Sequence, residues 1–168
     1  MAKAAHRQFF AESKGSYANG EQTYLAFPLW VDLPPAELRT RAMNQLEETI
    51  RHTDGGHLNT GVLGTWVLYQ FLMGRARHDL LYEITSQPCF PGWGHMLDQD
   101  ATTCWEDWSG NAAPVYSRLH ASYLGGGNWF LEGVAGIRPD ERSPGYKHFF
   151  LSPSPVGDLK WATASYDF

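Results

Sequence analysis

The stretch from Leu58 to Met73 constrains the fold of this 168-residue chain more than any other segment. Val62, Leu63, Trp66, Val67, Leu68, Phe71 and Leu72 point round a helical wheel rather than along one stripe. A helix that is apolar on every side cannot lie on a surface, so other elements must enclose it. Gly61 and Gly64 on its first turns predict close packing or the close approach of a ligand.

The neighbouring segments supply candidates for that enclosure. Ala2 to Glu12 carries an apolar face at Ala5, Phe9 and Phe10, and Lys14-Gly-Ser16 closes it. Asn19 can cap a second helix from Gly20 to about Leu29, and Asp32-Leu-Pro-Pro35 stops it and starts the next. Ala36 to about His52 places Leu38, Ala42, Met43, Leu46 and Ile50 at helical spacing, and Asp54-Gly-Gly56 ends it. A fifth helix runs from about Arg77 to Gln87, followed by the breaker Pro88-Cys-Phe-Pro91 and a short turn from Trp93 to Leu97. Ser117 to Ala135 predicts a further helix, interrupted or started late by Gly125-Gly-Gly127, a glycine cluster that lets helices approach closely. After that the period changes to two. Tyr146–Leu151 and Leu159–Tyr166, separated by Pro-Ser-Pro-Val-Gly, predict a β-hairpin. Successive helices on short turns imply a mainly α fold of paired helical hairpins with a C-terminal β-hairpin.

Composition excludes several classes of function. A formal charge of -5 with scattered Lys and Arg gives no electrostatic reason to expect nucleic acid or an anionic membrane as a partner. Cys89 and Cys104 form no CxxC pair, which predicts free thiols in packing roles. The start carries no apolar run of signal-peptide length, so a soluble, cytoplasmic chain is expected as given. The seven histidines show no HExxH and no close helical pair with a carboxylate, and no phosphate loop, dinucleotide fingerprint or nucleophile elbow is present. No metal and no cofactor is expected.

Chemistry concentrates in Asp98 to Gly110, which holds four carboxylates, two tryptophans and the pair Thr102-Thr103. Indole faces can stack on pyranose C–H groups while a carboxylate beside them takes a proton from water or a sugar hydroxyl. The competing reading is an edge strand with a solvated acidic turn, and on composition the two stand even.

The motifs His57-Leu-Asn-Thr-Gly-Val-Leu-Gly-Thr65, Pro91-Gly-Trp-Gly-His-Met96, Ala101-Thr-Thr-Cys-Trp-Glu-Asp-Trp108, His120 with Gly125 and Trp129, and Pro144-Gly-Tyr-Lys-His148 follow in order. Together they resemble the carboxyl-terminal half of the catalytic domain of α-L-rhamnosidases of glycoside hydrolase family 78. The resemblance implies a partial (α/α)6 toroid of helical hairpins over residues 1–140. Residues 141–168 resemble the start of the β-sandwich that follows it.

The same resemblance assigns roles to particular residues. Glu106 matches the general base, which in an inverting glycosidase activates water on the face opposite the leaving group. His120 matches a histidine that contacts the bound sugar, although a lone helical histidine is more often structural. Trp93, between two glycines, is a stacking candidate or a structural residue in equal measure. Trp105, beside Glu106, either touches substrate or packs its strand. His57, with Thr60 and Gly61, lies where helix amino ends line the mouth of such a barrel, with simple capping as the alternative.

Two departures and one gap qualify the match. Asp100 stands where the family has glycine, and Asp107 adds a like charge after the glutamate. The family's general acid and most of its rhamnose-gripping residues belong to a segment preceding the first helix of this chain, so weak or absent activity is expected from the chain alone. An open half-toroid also exposes an apolar face, which implies a homodimer or a complementing amino-terminal half. Three readings follow: part of an inverting α-L-rhamnosidase, a non-catalytic carbohydrate-binding module, or a truncated structural remnant.

Overall fold

The computed structural model describes residues 1–109, 117–120 and 125–167. Its helices are α1 (Ala2–Phe9), α2 (Gln22–Trp30), α3 (Ala36–Glu48), α4 (Val62–Gly74), α5 (His78–Thr85), α6 (Trp93–Asp98) and α7 (Gly125–Asn128). Wider π turns extend α3 over Thr49–Thr53 and α7 over Trp129–Val134. Two short antiparallel sheets complete the structure. One pairs β1 (Phe10–Ala11) with β2 (Ser16–Tyr17), and the other pairs β3 (Ile137–Pro139) with β4 (Phe149–Leu151).

The all-apolar helix is enclosed on all but the face of Leu63 and Trp66. α4 packs against α2, α5 and α7, and α2 packs in turn on α3. Leu25, Leu46, Ile50, Leu68, Leu72, Leu80 and Ile84 make the centre of the core. Each such fully buried aliphatic side chain contributes roughly 2 kcal/mol from area removed from water. Gly64 explains how α2 and α4 come so close, since a Cβ there would lie 2.1 Å from Thr23 Oγ1. Gly61, by contrast, faces open space. An ion network fastens the outer pair of helices: Arg51 reaches Glu47, Asp79 and Glu83, and Arg77 reaches Glu47 and Asp79.

Several predicted boundaries move, each for a local reason. The first helix ends at Phe9 rather than Glu12, because Phe10–Ala11 leaves it to pair with Ser16–Tyr17. Buried Tyr17 holds that turn through a 2.7 Å contact between its hydroxyl and His6 Nδ1. Asn19 does not cap α2 directly. Its Oδ1 accepts from Glu21 N at 3.2 Å, and the helix starts at Gln22. The expected helix over Ser117–Ala135 begins only at Gly125, and Ser117–His120 is non-helical. Residues 121–124 of that prediction lie outside the described residues.

The C-terminal hairpin is present, but Leu159–Tyr166 is not its second strand. β4 pairs with the preceding Ile137–Pro139 in the register Ile137↔Leu151, Arg138↔Phe150 and Pro139↔Phe149. Two interactions explain the choice of partner. Asp140, buried, accepts from Arg142 and from His148 Nδ1 at 3.0 Å and so closes the loop between the strands. Beyond β4, Ser152 N donates to Gly136 O and Ser154 N to Gly133 O, which draws the chain over the end of the π turn instead of back along β4.

One face of the inner helices stays uncovered. Phe27 and Trp30 of α2 and Leu63 and Trp66 of α4 are all exposed, and the Trp30 and Trp66 rings meet edge to face at 5.1 Å. Helices apolar all round have their second apolar face here.

Candidate active site

The acidic segment begins with exposed residues 98–100 at a turn and is then held against a second stretch of chain. Thr103 to Glu106 runs beside Ser117 to His120: Glu106 N donates to Ser117 O at 2.9 Å and His120 N to Cys104 O at 2.8 Å, while the Thr103 hydroxyl donates to Arg118 O. This ladder places Glu106 and His120 on adjacent stretches. The Glu106 carboxylate is fixed by the backbone as well, since its Oε2 accepts from Ser117 N at 2.8 Å. Ser117 gave no signal in the sequence, because the pairing spans an intervening loop and uses only main-chain groups of the serine.

The two tryptophans of the segment go inward. Trp105 is 5% exposed and packs within the core, the second of the two placements that its sequence context offered. Trp108 is 7% exposed, and its Nε1 donates to Thr60 O at 3.0 Å, tying the segment to the start of α4. Trp93 meets Trp108 edge to face at 5.4 Å and Tyr69 at 5.6 Å, so its edge is anchored in the core. Its remaining surface, with His120, Thr102, Thr103, Cys104 and Leu119, lines a recess of about 1100 Å³. The glycine cluster serves this wall, because a Cβ on Gly126 would lie 3.0 Å from the Trp93 ring. Burial pushes the Cys104 thiol up from its ordinary value and keeps it protonated.

His57 belongs to the supporting frame. Its Nδ1 donates to Pro91 O at 3.1 Å, which holds the turn leading into Trp93. Its own carbonyl accepts from Gln22 Nε2 at 2.7 Å. Gln22 is fully buried, also donates to Asp54 Oδ2 at 2.8 Å, and accepts from Asn59 N at 3.2 Å. One side chain thus clamps the loop 54–59 onto the start of α2. Thr60 is buried and shares a 2.7 Å hydroxyl-to-hydroxyl hydrogen bond with Thr65, whereas the N-cap of α4 is Gly61 and no side chain caps the helix.

The structure therefore joins Trp93 and His120 in one recess, places Glu106 beside His120, and leaves His57 and Trp105 behind them as support. The two departures also find places. Asp100 has φ +58, the left-handed conformation that suits glycine and that Asp tolerates better than most residues. Asp107 turns Oδ1 to the amide and hydroxyl of Ser109, the amide at 2.8 Å. Among the described residues no group of three His, Cys, Asp or Glu is placed to hold a metal. None of the described helices is long and apolar enough to cross a membrane.

Known proteins share this fold. Residues 1–134 match the model of the bacterial alpha-L-rhamnosidase 6 hairpin glycosidase domain, and residues 136–168 match that of the bacterial alpha-L-rhamnosidase C-terminal domain. An alpha-L-rhamnosidase of Formosa agariphila is 33% identical over 98% of this chain and 18% of its own length. One of Alteromonas is 32% identical over the same shares. The structure of an alpha-L-rhamnosidase from Dictyoglumus thermophilum superposes with a TM-score of 0.85 at 30% identity, covering 95% of this chain and 18% of that one. The Streptomyces avermitilis enzyme, solved in complex with L-rhamnose, gives 0.81 at 31% identity over 94% and 16%. The chain thus spans under a fifth of the length of the relatives it matches. With most of its residues under the six-hairpin model, the chain belongs to the bacterial alpha-L-rhamnosidase six-hairpin glycosidase family.

Proposed function

We propose that this chain supplies the base side of the active site for inverting hydrolysis of terminal α-L-rhamnosides. The observation that carries the reading is Glu106, a carboxylate held by a backbone amide in a ladder beside His120, in a chain of the rhamnosidase family. With Oε2 bound by Ser117 N, Oε1 is the atom that takes the proton from water as that water attacks the anomeric carbon. The leaving oxygen needs its proton from the opposite face of the sugar, from a carboxyl group about 6.5–9.5 Å from the base. In this proposal that acid comes from hairpins that complete the toroid around α2 and α4. His120 and Trp93 hold the rhamnosyl unit, with Trp93 offering the ring surface that the core leaves open.

The uncovered face of Phe27, Trp30, Leu63 and Trp66 is the seat for those completing hairpins, or for a second copy of the chain. The division between the hairpin domain and the domain that follows falls at about residue 135, since β3 and β4 pair with each other. Nuclear magnetic resonance titration with L-rhamnose tests the assignment. Saturable shifts at Glu106, Ser117 and His120 that persist in Glu106→Gln and vanish in His120→Ala are expected. Shifts elsewhere, or none, refute it.

A further inference from the structure

The far ends of α2 and α4 carry a recess built on a different chemistry. Asp32 after α2, Arg39 on α3, and Arg75 and Arg77 after α4 surround a cavity of about 310 Å³, floored by Leu29, Met43 and Phe71 at the edge of the core. The 13 residues of α4, at about 1.5 Å each, set it about 20 Å from the start of that helix, where Trp108 is fastened to Thr60. Two of the guanidiniums are held in place but not neutralised. Arg39 Nε donates to Pro34 O at 3.1 Å, and the Arg75 guanidinium lies 5.6 Å from the centre of the Phe71 ring. Both then reach the same atom, Asp32 Oδ1, at 3.3 and 3.4 Å, longer than the roughly 2.7–2.9 Å of a strong charge-assisted bond. With the Arg39, Arg75 and Asp32 side chains 46%, 51% and 59% exposed, such pairs hold weakly.

Arg77 differs, because Glu47 at 2.7 Å and Asp79 at 2.8 Å match its charge from outside the cavity. Asp32 is the one carboxylate among the described residues that line the recess, so Arg39 and Arg75 leave one positive charge uncompensated there. A single excess charge calls for one negative charge, and an apolar floor calls for an organic body rather than a bare inorganic ion. We propose that this recess binds a small organic monocarboxylate. Its carboxylate lies between the donor forks of Arg39 and Arg75, displacing their long contacts to Asp32, and its apolar body covers Leu29, Met43 and Phe71. The site is independent of the role given to Glu106. A bound anion would fasten the end of α2, the first turns of α3 and the end of α4 to one another.

The test titrates the 168-residue chain, by nuclear magnetic resonance, with phenylacetate, its neutral analogue phenylacetamide, and inorganic phosphate. Phenylacetate is expected to shift the Asp32, Met43 and Arg75 amides saturably. It should bind about tenfold or more tightly than phenylacetamide, the gain that a hydrogen bond to a charged donor brings. Phosphate should bind more weakly than phenylacetate, because it leaves the apolar floor uncovered. The Arg39→Gln/Arg75→Gln variant should lose about tenfold or more for phenylacetate. Both side chains are half exposed, and retained spectral dispersion verifies the fold. Asp32→Asn removes the competing carboxylate and should tighten phenylacetate about threefold. Asparagine tolerates the φ of +52 at that position, so the backbone is kept. Arginines that only cap helix ends would give no such gain. Absence of saturable shifts at these amides, equal affinity for phenylacetamide, or phosphate binding as tightly as phenylacetate overturns the proposal. So does an unaffected double-arginine variant, or unchanged or weaker binding in Asp32→Asn.

Discussion

Replacing Gln22 with leucine should destabilise the whole site from a distance, and the structure gives the magnitude. The side chain is fully buried and makes three hydrogen bonds, to Asp54 Oδ2, His57 O and Asn59 N. Leucine is close in size and cannot replace any of them. At a net value of about 1 kcal/mol per bond the loss is about 3 kcal/mol. That net value already includes the desolvation of the amide, so the loss stands at about 3 kcal/mol. For a chain of this size, with a urea slope of about 2 kcal/mol/M, the midpoint should fall by about 1.5 M. Urea unfolding followed by circular dichroism measures it, and amide exchange at Asn59 and Thr60 should accelerate together with it. A midpoint within about 0.2 M of wild type would refute the claim that Gln22 clamps the loop.

Two further predictions address the fold. Trp129 Nε1 donates to His78 Nδ1 at 3.1 Å, and burial, then the nearby Arg138, holds the imidazole below its ordinary value, with Asp79 opposing. The neutral ring is favoured in the fold, so this stability is complete above the ordinary histidine value of about 6.5 and is lost as pH falls below it. Unfolding at pH 7.5 and 5.5 should show a larger drop for wild type than for His78→Gln, and equal drops would contradict it. The open α2–α4 face should drive self-association, which Leu63→Glu with Trp66→Glu should abolish in light scattering after gel filtration. A wild-type chain that stays monomeric at high concentration would show that this face needs no cover.

The sequence made the helices legible where one strong periodicity governed them. The all-apolar Leu58–Met73 stretch forms α4 with all but the Leu63–Trp66 face in the core, and the α3 pattern holds because its apolar stripe meets α2. Legibility failed where the main chain chose between partners. Leu159–Tyr166 has strand composition, yet β4 pairs upstream because the buried Asp140 closes the nearer loop and the serines after β4 bond to Gly136 and Gly133. At the site, Glu106 and Asp107 could be read as chemistry from their context, but the direction of each neighbour could not. Trp105 and Trp108 look alike in the sequence to Trp93, and only packing around α4 separates the two buried rings from the half-buried one. Ser117 and Gln22 carry no local signal, because their roles depend on what lies across from them.

The base role of Glu106 is the central claim, and turnover tests it most directly. The chain would be joined behind the amino-terminal hairpins of a family rhamnosidase and assayed on p-nitrophenyl α-L-rhamnoside. Glu106→Gln should lower kcat by about a hundredfold to ten-thousandfold while rhamnose binding persists. Turnover within a few-fold of wild type would remove Glu106 from the mechanism.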